Sequence, residues 1–321
     1  MMHGRKGRER RDSVTVEILK DRQKHQELLK SQQVLNRIPS ELLLSLEKAG
    51  LGSKRRKGQV YTKSSFGGRG DQCSTIAGAG GSSLHLTSAA SDWPVFEHVL
   101  PEVAFAGHSN SGKSTLVNAV AGILPRMGPA SVSDRAGWTD LVCFYQLGKK
   151  PPVLIMADLP GYGHAVASAA EKKAWKLMIR DYLQSRIVLS LCCVLVDCTR
   201  GLCEEDKRFI KFLHKHGIKW QLVLTKADLL DASSLAASVV IVRDDLCALG
   251  VVHSSTTEDY VTTDFDMIRP VSASTGAGVN ALWRDLLRYI ASSIQPQGAQ
   301  QAVREHIMAP RLREVKSSNK R

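Results

Sequence analysis

A chain of 321 residues has room for one medium-sized domain with extensions, or for two small domains. Its hydrophobic content of 43% is ample for a buried core, yet no apolar run approaches the roughly 18 residues of a membrane-spanning helix, so no membrane partner is expected. The net charge of +13 is concentrated at the two ends of the chain.

The uneven charge predicts a polyanionic partner. Residues 1–70 hold 17 Lys and Arg against 7 Asp and Glu, and residues 301–321 hold 6 against 2. Residues 71–300 hold 21 against 22 and are nearly neutral. Basic ends around a neutral body favour nucleic acid as the partner, and a merely solvated tail is the alternative.

The first 85 residues predict a basic extension that is helical and then flexible. Residues 13–48 have a polar, helical composition that Pro39 interrupts, and Ser40 is expected to cap a second short helix through Leu46. The basic residues 54–57 and the Gly- and Ser-rich stretch to about residue 83 cannot bury a core. We therefore expect folded sequence to begin near Ser88, a domain over residues 86–293 and a basic tail over 294–321.

Within the domain, strands and helices alternate. The pattern predicts strands at 103–106, 142–147, 153–157, 189–197, 219–224 and 268–272, and helices at 113–123, 170–186, 204–216, 232–248 and 278–293. The apolar run 189–196 suits burial on both faces, which indicates an α/β fold with a mostly parallel sheet and helices on both faces. Ligands of such sheets bind at the carboxyl ends of the strands.

The first such end carries a phosphate-binding motif. Gly107-His108-Ser109-Asn110-Ser111-Gly112-Lys113-Ser114, continued by Thr115, fits G-x-x-x-x-G-K-[ST] between a strand and a helix, as a P-loop NTPase requires. The glycines let backbone amides surround phosphate oxygens at the positive end of the helix. Lys113 is expected to reach the β- and γ-phosphates and the Ser114 hydroxyl to bind Mg²⁺. A Gly/Ser-rich turn before a core helix is the alternative.

The next strand ends in Asp158-Leu159-Pro160-Gly161. A carboxylate there can hold a Mg²⁺-bound water, and the Gly161 amide can approach a γ-phosphate because no side chain intervenes. This sequence alone is a common turn. It predicts part of a nucleotide site here because it follows the phosphate loop by about 45 residues.

Two further strand ends predict guanine as the base. In Thr225-Lys226-Ala227-Asp228, the Asp228 carboxylate can accept both N1–H and the N2 amino group of guanine, a pair of donors that adenine lacks. The aliphatic stem of Lys226 can cover the base. Ser272-Ala273-Ser274 follows the last strand and can complete the pocket, with the Ala273 amide facing the guanine O6. Together these motifs favour GTP and GDP over ATP.

These residues resemble the EngB (YihA/YsxC) GTPases. Residues 101–114 are similar to the phosphate loop of that family, and residues 225–228 and 276–283 agree with it as well. The family's middle block is matched by Asp158-Leu159-Pro160-Gly161-Tyr162-Gly163 followed by Trp175, Tyr182, Leu183 and Arg186. The resemblance covers residues 86–293. It implies a single TRAFAC-class G domain that acts as a monomer in assembly of the large ribosomal subunit, with precursor rRNA and proteins as partners.

The chain departs from that family in switch I. The usual pattern T-P-G-[KR]-T-Q is replaced by Arg135-Ala136-Gly137-Trp138-Thr139-Asp140. Thr139 can still offer its hydroxyl to Mg²⁺. Asp140 adds negative charge near the phosphates, which should hinder hydrolysis.

The expected catalytic residues are Lys113, Thr139, Gly161 and Asn110. Tyr162 stands where many GTPases have the glutamine that orients the attacking water, so slow intrinsic hydrolysis is expected. Asn110 matches the asparagine that seats K⁺ in potassium-stimulated relatives, which predicts a K⁺ site. Alternatively, Asn110 only shapes the turn.

We thus expect a GTPase that docks on a large-subunit precursor in its GTP state and leaves after hydrolysis. A structural RNA–protein adaptor that keeps GTP without hydrolysing it is the rival. The extensions and the basic residues 1–11 favour a mitochondrial location, with another organelle or the cytoplasm as alternatives. The seven cysteines lack C-x-x-C pairs, which indicates a reducing compartment.

Overall fold

The computed structural model describes residues 19–52, 83–96, 99–123, 130, 141–148, 152–162, 169–252 and 267–293. We call residues 19–52 the N-terminal arm. It contains α1 over residues 19–29, α2 (Gln32–Leu35) and α3 (Ser40–Lys48). No helix among these residues is long and apolar enough to cross a membrane.

One sheet organises the described chain. Its strands are β1 (Ser83–Ala89), β2 (Glu102–Gly107), β3 (Val142–Leu147), β4 (Leu154–Asp158), β5 (Leu189–Asp197), β6 (Trp220–Thr225) and β7 (Ile268–Pro270). They lie in the order β1-β3-β4-β2-β5-β6-β7. β4, β2, β5, β6 and β7 run parallel, while β3 is antiparallel to β4 and β1 to β3. The predicted mostly parallel α/β fold is confirmed.

Helices cover both faces of the sheet. They are α4 (Lys113–Val120), α5 (Ala169–Ser185), α6 (Glu204–Lys215), α7 (Ala232–Ala248) and α8 (Val279–Ser293). Alternate residues of β5 join two different buried clusters: Leu191, Cys193 and Leu195 pack with α4 and α8, and Cys192, Val194 and Val196 with α6, α7 and the arm. β5 is therefore buried on both faces, as its continuous apolar run predicts.

The predicted boundaries of β2 to β7 and of α4 to α8 agree with the structure to within about three residues. The largest difference is at the end of α4, which stops at Val120 instead of 123. Gly122 adopts a φ of 71°, and the amide of Ile123 donates back to the Asn118 carbonyl at 3.0 Å. This glycine closure ends the helix early.

The N-terminal arm is part of the folded unit, which corrects the expectation that folded sequence begins near Ser88. Leu29, Val34, Leu42, Leu46 and Leu51 are at most 7% exposed and share a hydrophobic cluster with α7. The sequence pattern predicts no strand before residue 103, yet β1 spans Ser83–Ala89, so the predicted boundary at residue 85 falls inside a strand. The arm's apolar residues look irregular in sequence because they are divided among short helices.

Ser40 does not cap α3 as predicted. The helix begins at Ser40 itself and runs on to Lys48, and Pro39 takes the N-cap position with extended backbone and no side-chain cap bond. The Pro39 carbonyl accepts from the amides of Leu42 and Leu43. Proline suits the start of a helix because its ring fixes φ and the missing N–H would have no partner there.

A buried ion pair fixes the end of the sheet where β2 begins. Glu102 is fully buried and accepts from Arg186 Nε at 2.9 Å and from the Tyr182 hydroxyl at 3.0 Å. The carboxylate of Glu102 raises the pKa of Arg186. Tyr182 and Arg186 thus anchor β2 at the end of the sheet opposite the predicted site.

Candidate functional site

The loop between β2 and α4 brings backbone close to backbone. Asn110 and Gly112 have φ of 64° and 89°, where glycine is unstrained and asparagine is better tolerated than most residues. A Cβ on Gly107 would lie 2.5 Å from the Leu195 carbonyl oxygen, so no side chain fits there. Both motif glycines are required by geometry, and the loop leads into the positive end of α4.

Asn110 is exposed in this loop. Its left-handed backbone supports the alternative in which it shapes the turn. The K⁺ role stays a prediction.

The Lys113 ammonium is buried inside the loop. Its Nζ donates to the carbonyl oxygens of Gly107 and His108 at 3.2 Å each. Burial lowers the pKa of Lys113, and the Asp158 carboxylate opposes that shift. Phosphate oxygens bind strongly at such a cation because they offer full negative charge in place of carbonyl dipoles.

Ser114 and Asp158 meet at the start of α4. The Ser114 hydroxyl donates to Asp158 Oδ2 at 2.7 Å, and Asp158 Oδ1 is buried with no hydrogen-bond partner among the described residues. Burial raises the pKa of Asp158, while Lys113 and Ser114 oppose that shift. A hydroxyl and a carboxylate with an unused oxygen fit a hard cation that keeps its waters, as Mg²⁺ does. Thr139, the third predicted ligand, lies outside the described residues.

Gly161 lies directly against the phosphate loop. A Cβ there would stand 2.9 Å from Lys113 Nζ and 3.0 Å from Ser109 Oγ. The Ser109 amide donates to the Tyr162 carbonyl at 3.0 Å, and His108 pairs with Tyr162 in an isolated parallel bridge. The segment after β4 therefore closes on the loop beside the buried ammonium.

Hydrogen bonds hold together the part of the site that is predicted to bind guanine. Asp228, on a 3₁₀ turn (Ala227–Leu229), accepts from the Ser272 hydroxyl at 2.6 Å and is 7% exposed. The Ala227 amide donates to the Val271 carbonyl at 3.1 Å, which ties that turn to the end of β7. The serine uses one of roughly four acceptor positions on the carboxylate, so Asp228 keeps capacity for two guanine donors.

Lys226 is held beside this turn by Asp197. Its backbone is left-handed, with φ 58°, and its Nζ pairs with Asp197 Oδ2 at 2.8 Å. Asp197 also accepts from the amide and hydroxyl of Thr199. Although burial works the other way, Lys226 and Thr199 together lower the pKa of Asp197. The ion pair thereby holds the end of the Lys226 side chain in place.

Thr225 connects the two ends of the site. Its hydroxyl donates to the Ser111 carbonyl at 2.7 Å, so the end of β6 bonds directly to the phosphate loop. The structure thus brings Gly107, His108, Ser109, Asn110, Ser111, Gly112, Lys113, Ser114, Asp158, Gly161, Thr225, Lys226, Asp228 and Ser272 to one edge of the sheet. Thr115 is half-buried on α4, and Ala273 and Ser274 are half-buried on the turn after β7.

Tyr162 is packed away rather than free to orient a water. Its ring centroid lies 5.2 Å from that of Phe209 on α6. Burial and the neighbouring Asp206 carboxylate raise its pKa well above the ordinary value. Asp206 itself forms a buried ion pair with Arg200 at 2.6 Å. These contacts hold the phenol ring against α6, and the slow rate of hydrolysis stays a prediction.

Sequence reasoning missed Asp197 and His25. Asp197 ends β5 at the same edge as the four motifs, so the rule on strand ends could have found it. His25 comes from the N-terminal arm and contacts the loop after β5. Nothing local in the sequence links residues so far apart.

Known GTP-binding proteins are similar to this chain in sequence. Residues 102–226 match a family described as 50S ribosome-binding GTPase. A "Probable GTP-binding protein EngB" from Rhodospirillum rubrum is 37% identical over 188 residues, which cover 58% of this chain and 75% of that protein. Another from Rhodopseudomonas palustris is 36% identical over 211 residues, covering 63% and 90%. A solved structure titled as a probable GTP-binding protein engB is 20% identical, with a TM-score of 0.43 over 60% of this chain and 99% of that one.

Proposed function

This chain belongs to the EngB family of GTP-binding proteins, and we propose that it is a GTP-hydrolysing assembly factor for the large subunit of a ribosome. One observation carries the proposal. Lys113 and Asp228, a buried cation and a buried carboxylate, lie at opposite ends of one continuous edge that Thr225 bonds together. A buried cation at one end and a buried carboxylate at the other suit a triphosphate and guanine, respectively.

The protein's own groups would act mainly by position and charge. Lys113 holds a positive charge within the loop where the β- and γ-phosphate oxygens bind, and Gly161 brings its backbone close to that charge because it has no side chain. Ser114 and Asp158 would hold Mg²⁺, which when bound neutralises charge that develops on those oxygens. Because Tyr162 is packed against α6, intrinsic turnover should be slow and depend on the partner particle.

A basic face on the domain supports RNA as that partner. We define the basic face as Lys173, Lys176 and Arg180 of α5 with Arg208, Lys211 and Lys215 of α6, all exposed. Arg180 lies over the Phe212 ring at 5.4 Å, so the two helices stand side by side. None of the six forms an ion pair with any residue that the structure describes. An unpaired cationic surface of this kind suits a phosphate backbone.

The proposal also covers the compartment of the ribosome and the alternative function as an adaptor. The basic ends, residues 1–70 and 301–321, favour an organellar ribosome, a mitochondrial one first. The altered switch I, with Asp140 beside Thr139, favours an adaptor that keeps GTP without turnover. Both versions share the nucleotide site and differ only in hydrolysis.

GTP turnover separates the two versions. The purified full chain is assayed in KCl and in NaCl, with and without its own large-subunit precursor, beside Lys113→Ala. We expect slow turnover that the precursor stimulates and that Lys113→Ala abolishes. Tight GTP binding without turnover under every condition would mean an adaptor. Equal rates in the two salts would remove the K⁺ role.

Binding to the precursor tests the basic face. Lys176→Glu and Lys211→Glu are each expected to weaken binding and to reduce its salt dependence, because each removes one phosphate contact and adds repulsion. Arg284→Glu is the matched control, since Arg284 is exposed on α8, on the other face of the sheet. Equal weakening by all three variants would contradict a specific basic face.

A further inference from the structure

The N-terminal arm contacts the segment that supports the predicted guanine-binding residues. His25 of α1 is 5% exposed, and its Nε2 lies 3.1 Å from the carbonyl oxygen of Cys198, just after β5. A carbonyl can only accept, so Nε2 carries the hydrogen and donates it. Ser238 of α7 donates to the same carbonyl at 3.0 Å. Two side chains thus hold one peptide group.

The fit of the His25 ring is close. A Cβ on Gly201 would lie 2.4 Å from His25 Nδ1, and Gly201 has a φ of 73°. Glycine at 201 therefore serves both the turn and the approach of the imidazole. Burial lowers the pKa of His25 below its ordinary value, which keeps the ring neutral.

Cys198 in turn bonds to the segment that carries the predicted guanine-binding residues. Its amide donates to the Thr225 carbonyl at 3.1 Å, and its thiol donates to the Lys226 carbonyl at 3.3 Å. Lys226 has a left-handed backbone and immediately precedes the turn that carries Asp228. A non-glycine residue keeps that conformation only when its surroundings hold it there.

We propose that His25 is a positioning residue for guanine recognition, acting through Cys198 to hold the Lys226–Asp228 segment in place. The arm is then a built-in part of the nucleotide site as well as a basic extension. The proposal rests on the proposed function insofar as guanine binds at Asp228. A neutral hydrogen bond of this kind corresponds to an effect of about three- to tenfold on nucleotide binding.

The test measures dissociation of fluorescently labelled GDP and the ratio of GDP to IDP affinity in the full chain. His25→Leu keeps volume but cannot donate, and it should speed GDP release about three- to tenfold and lower the GDP/IDP ratio. IDP lacks the guanine N2 amino group, so a general loosening of the site would weaken both nucleotides equally. His25→Gln retains a donor near Nε2 and should restore most of both values.

Two further variants keep the test decisive. Arg37→Gln breaks an exposed ion pair between the arm and Asp244 of α7 that involves neither His25 nor Cys198, and it should change neither value. Ser238→Ala removes the second donor to Cys198 and should shift both values in the direction of His25→Leu, even if His25→Leu does not fold. Unchanged release and ratio in Ser238→Ala and in folded His25→Leu would overturn the proposal. Failure of the wild type to bind GDP would instead contradict the proposed function.

Discussion

Two buried carboxylates at opposite ends of the sheet, Glu102 and Asp158, differ in how their oxygens are satisfied. Where β2 begins, Arg186 and Tyr182 engage both oxygens of the buried Glu102 carboxylate. Where β2 and β4 end, Ser111 Oγ and Asp158 Oδ1 are buried without a hydrogen-bond partner in the described parts of the chain. Unused buried polar atoms are unfavourable unless a ligand completes them. The Glu102 site therefore serves stability, and the Asp158 site serves binding.

The largest effect is expected from breaking the buried ion pair between Glu102 and Arg186. Arg186→Leu leaves the Glu102 carboxylate buried without its cation, and should lower the free energy of unfolding by about 3–5 kcal/mol. Denaturant titration measures this, and GDP affinity of the folded protein should stay within twofold, a rough bound on additivity between distant sites. Adding Glu102→Gln removes the stranded charge and should recover part of the loss. A change below about 1 kcal/mol would show that the pair does not anchor β2.

The next largest effect is expected from a substitution at Asp228, which should weaken nucleotide binding and leave the free energy of unfolding unchanged. Asp228→Asn loses the charged acceptor for the two guanine donors and should weaken GDP about 100-fold, with a relative gain for XDP, whose C2 oxygen can accept from the new amide. Asp231→Asn is the matched control three residues away, because an asparagine can still cap α7. Equal losses in both variants would mean that Asp228 does not contact the base.

A smaller effect concerns the unpartnered oxygen of Asp158. Asp158→Asn keeps an acceptor for Ser114 but removes the charge that suits a divalent cation. GTP affinity in Mg²⁺ should fall about tenfold, as when a group that orients a metal's ligands is lost. Affinity in EDTA should change much less. Titrations of both proteins with and without Mg²⁺ check this, and an equal loss in EDTA would contradict the metal role.

The smallest effect is a pH dependence at His25. Its folded pKa is lowered by burial, so stability is present above the unfolded pKa and is lost as pH falls through it towards the folded pKa. Arg200 adds to that shift, whereas Asp245, Asp197 and the bond to Cys198 oppose it. From pH 7.5 to 5.5 the wild type should lose up to about 1.4 kcal/mol in total more than His25→Gln. His108, whose pKa is also lowered, is present in both proteins and cancels. Parallel curves would contradict a neutral, buried His25.

Most of the fold could be predicted because its strands and helices are marked by patterns of neighbouring residues. The apolar runs of β2, β5 and β6 and the helices between them have clear lengths, and short motifs mark the strand ends. The arm could not be predicted in the same way. Its burial depends on single leucines, such as Leu46, that contact α7. Because α7 is distant in sequence, the spacing of apolar residues within the arm does not indicate that contact.

The candidate site was predictable where chemistry requires a residue type, as at Gly112, Lys113 and Asp228. The residues that hold these in place could not be found so easily. His25 acts on the backbone carbonyl of Cys198, which any residue at 198 would offer, so the type of residue there does not indicate the contact. Switch I, including Thr139, lies outside the described residues, so its role remains as the sequence predicts it.

Direct titration of the purified full chain with GTP and with ATP, both in Mg²⁺, tests the central claim that this edge recognises a guanine nucleotide. The account predicts GTP binding at least about 100-fold tighter than ATP, because adenine leaves the buried Asp228 carboxylate without its donors. Equal affinity for the two nucleotides, or no binding of either, would contradict it.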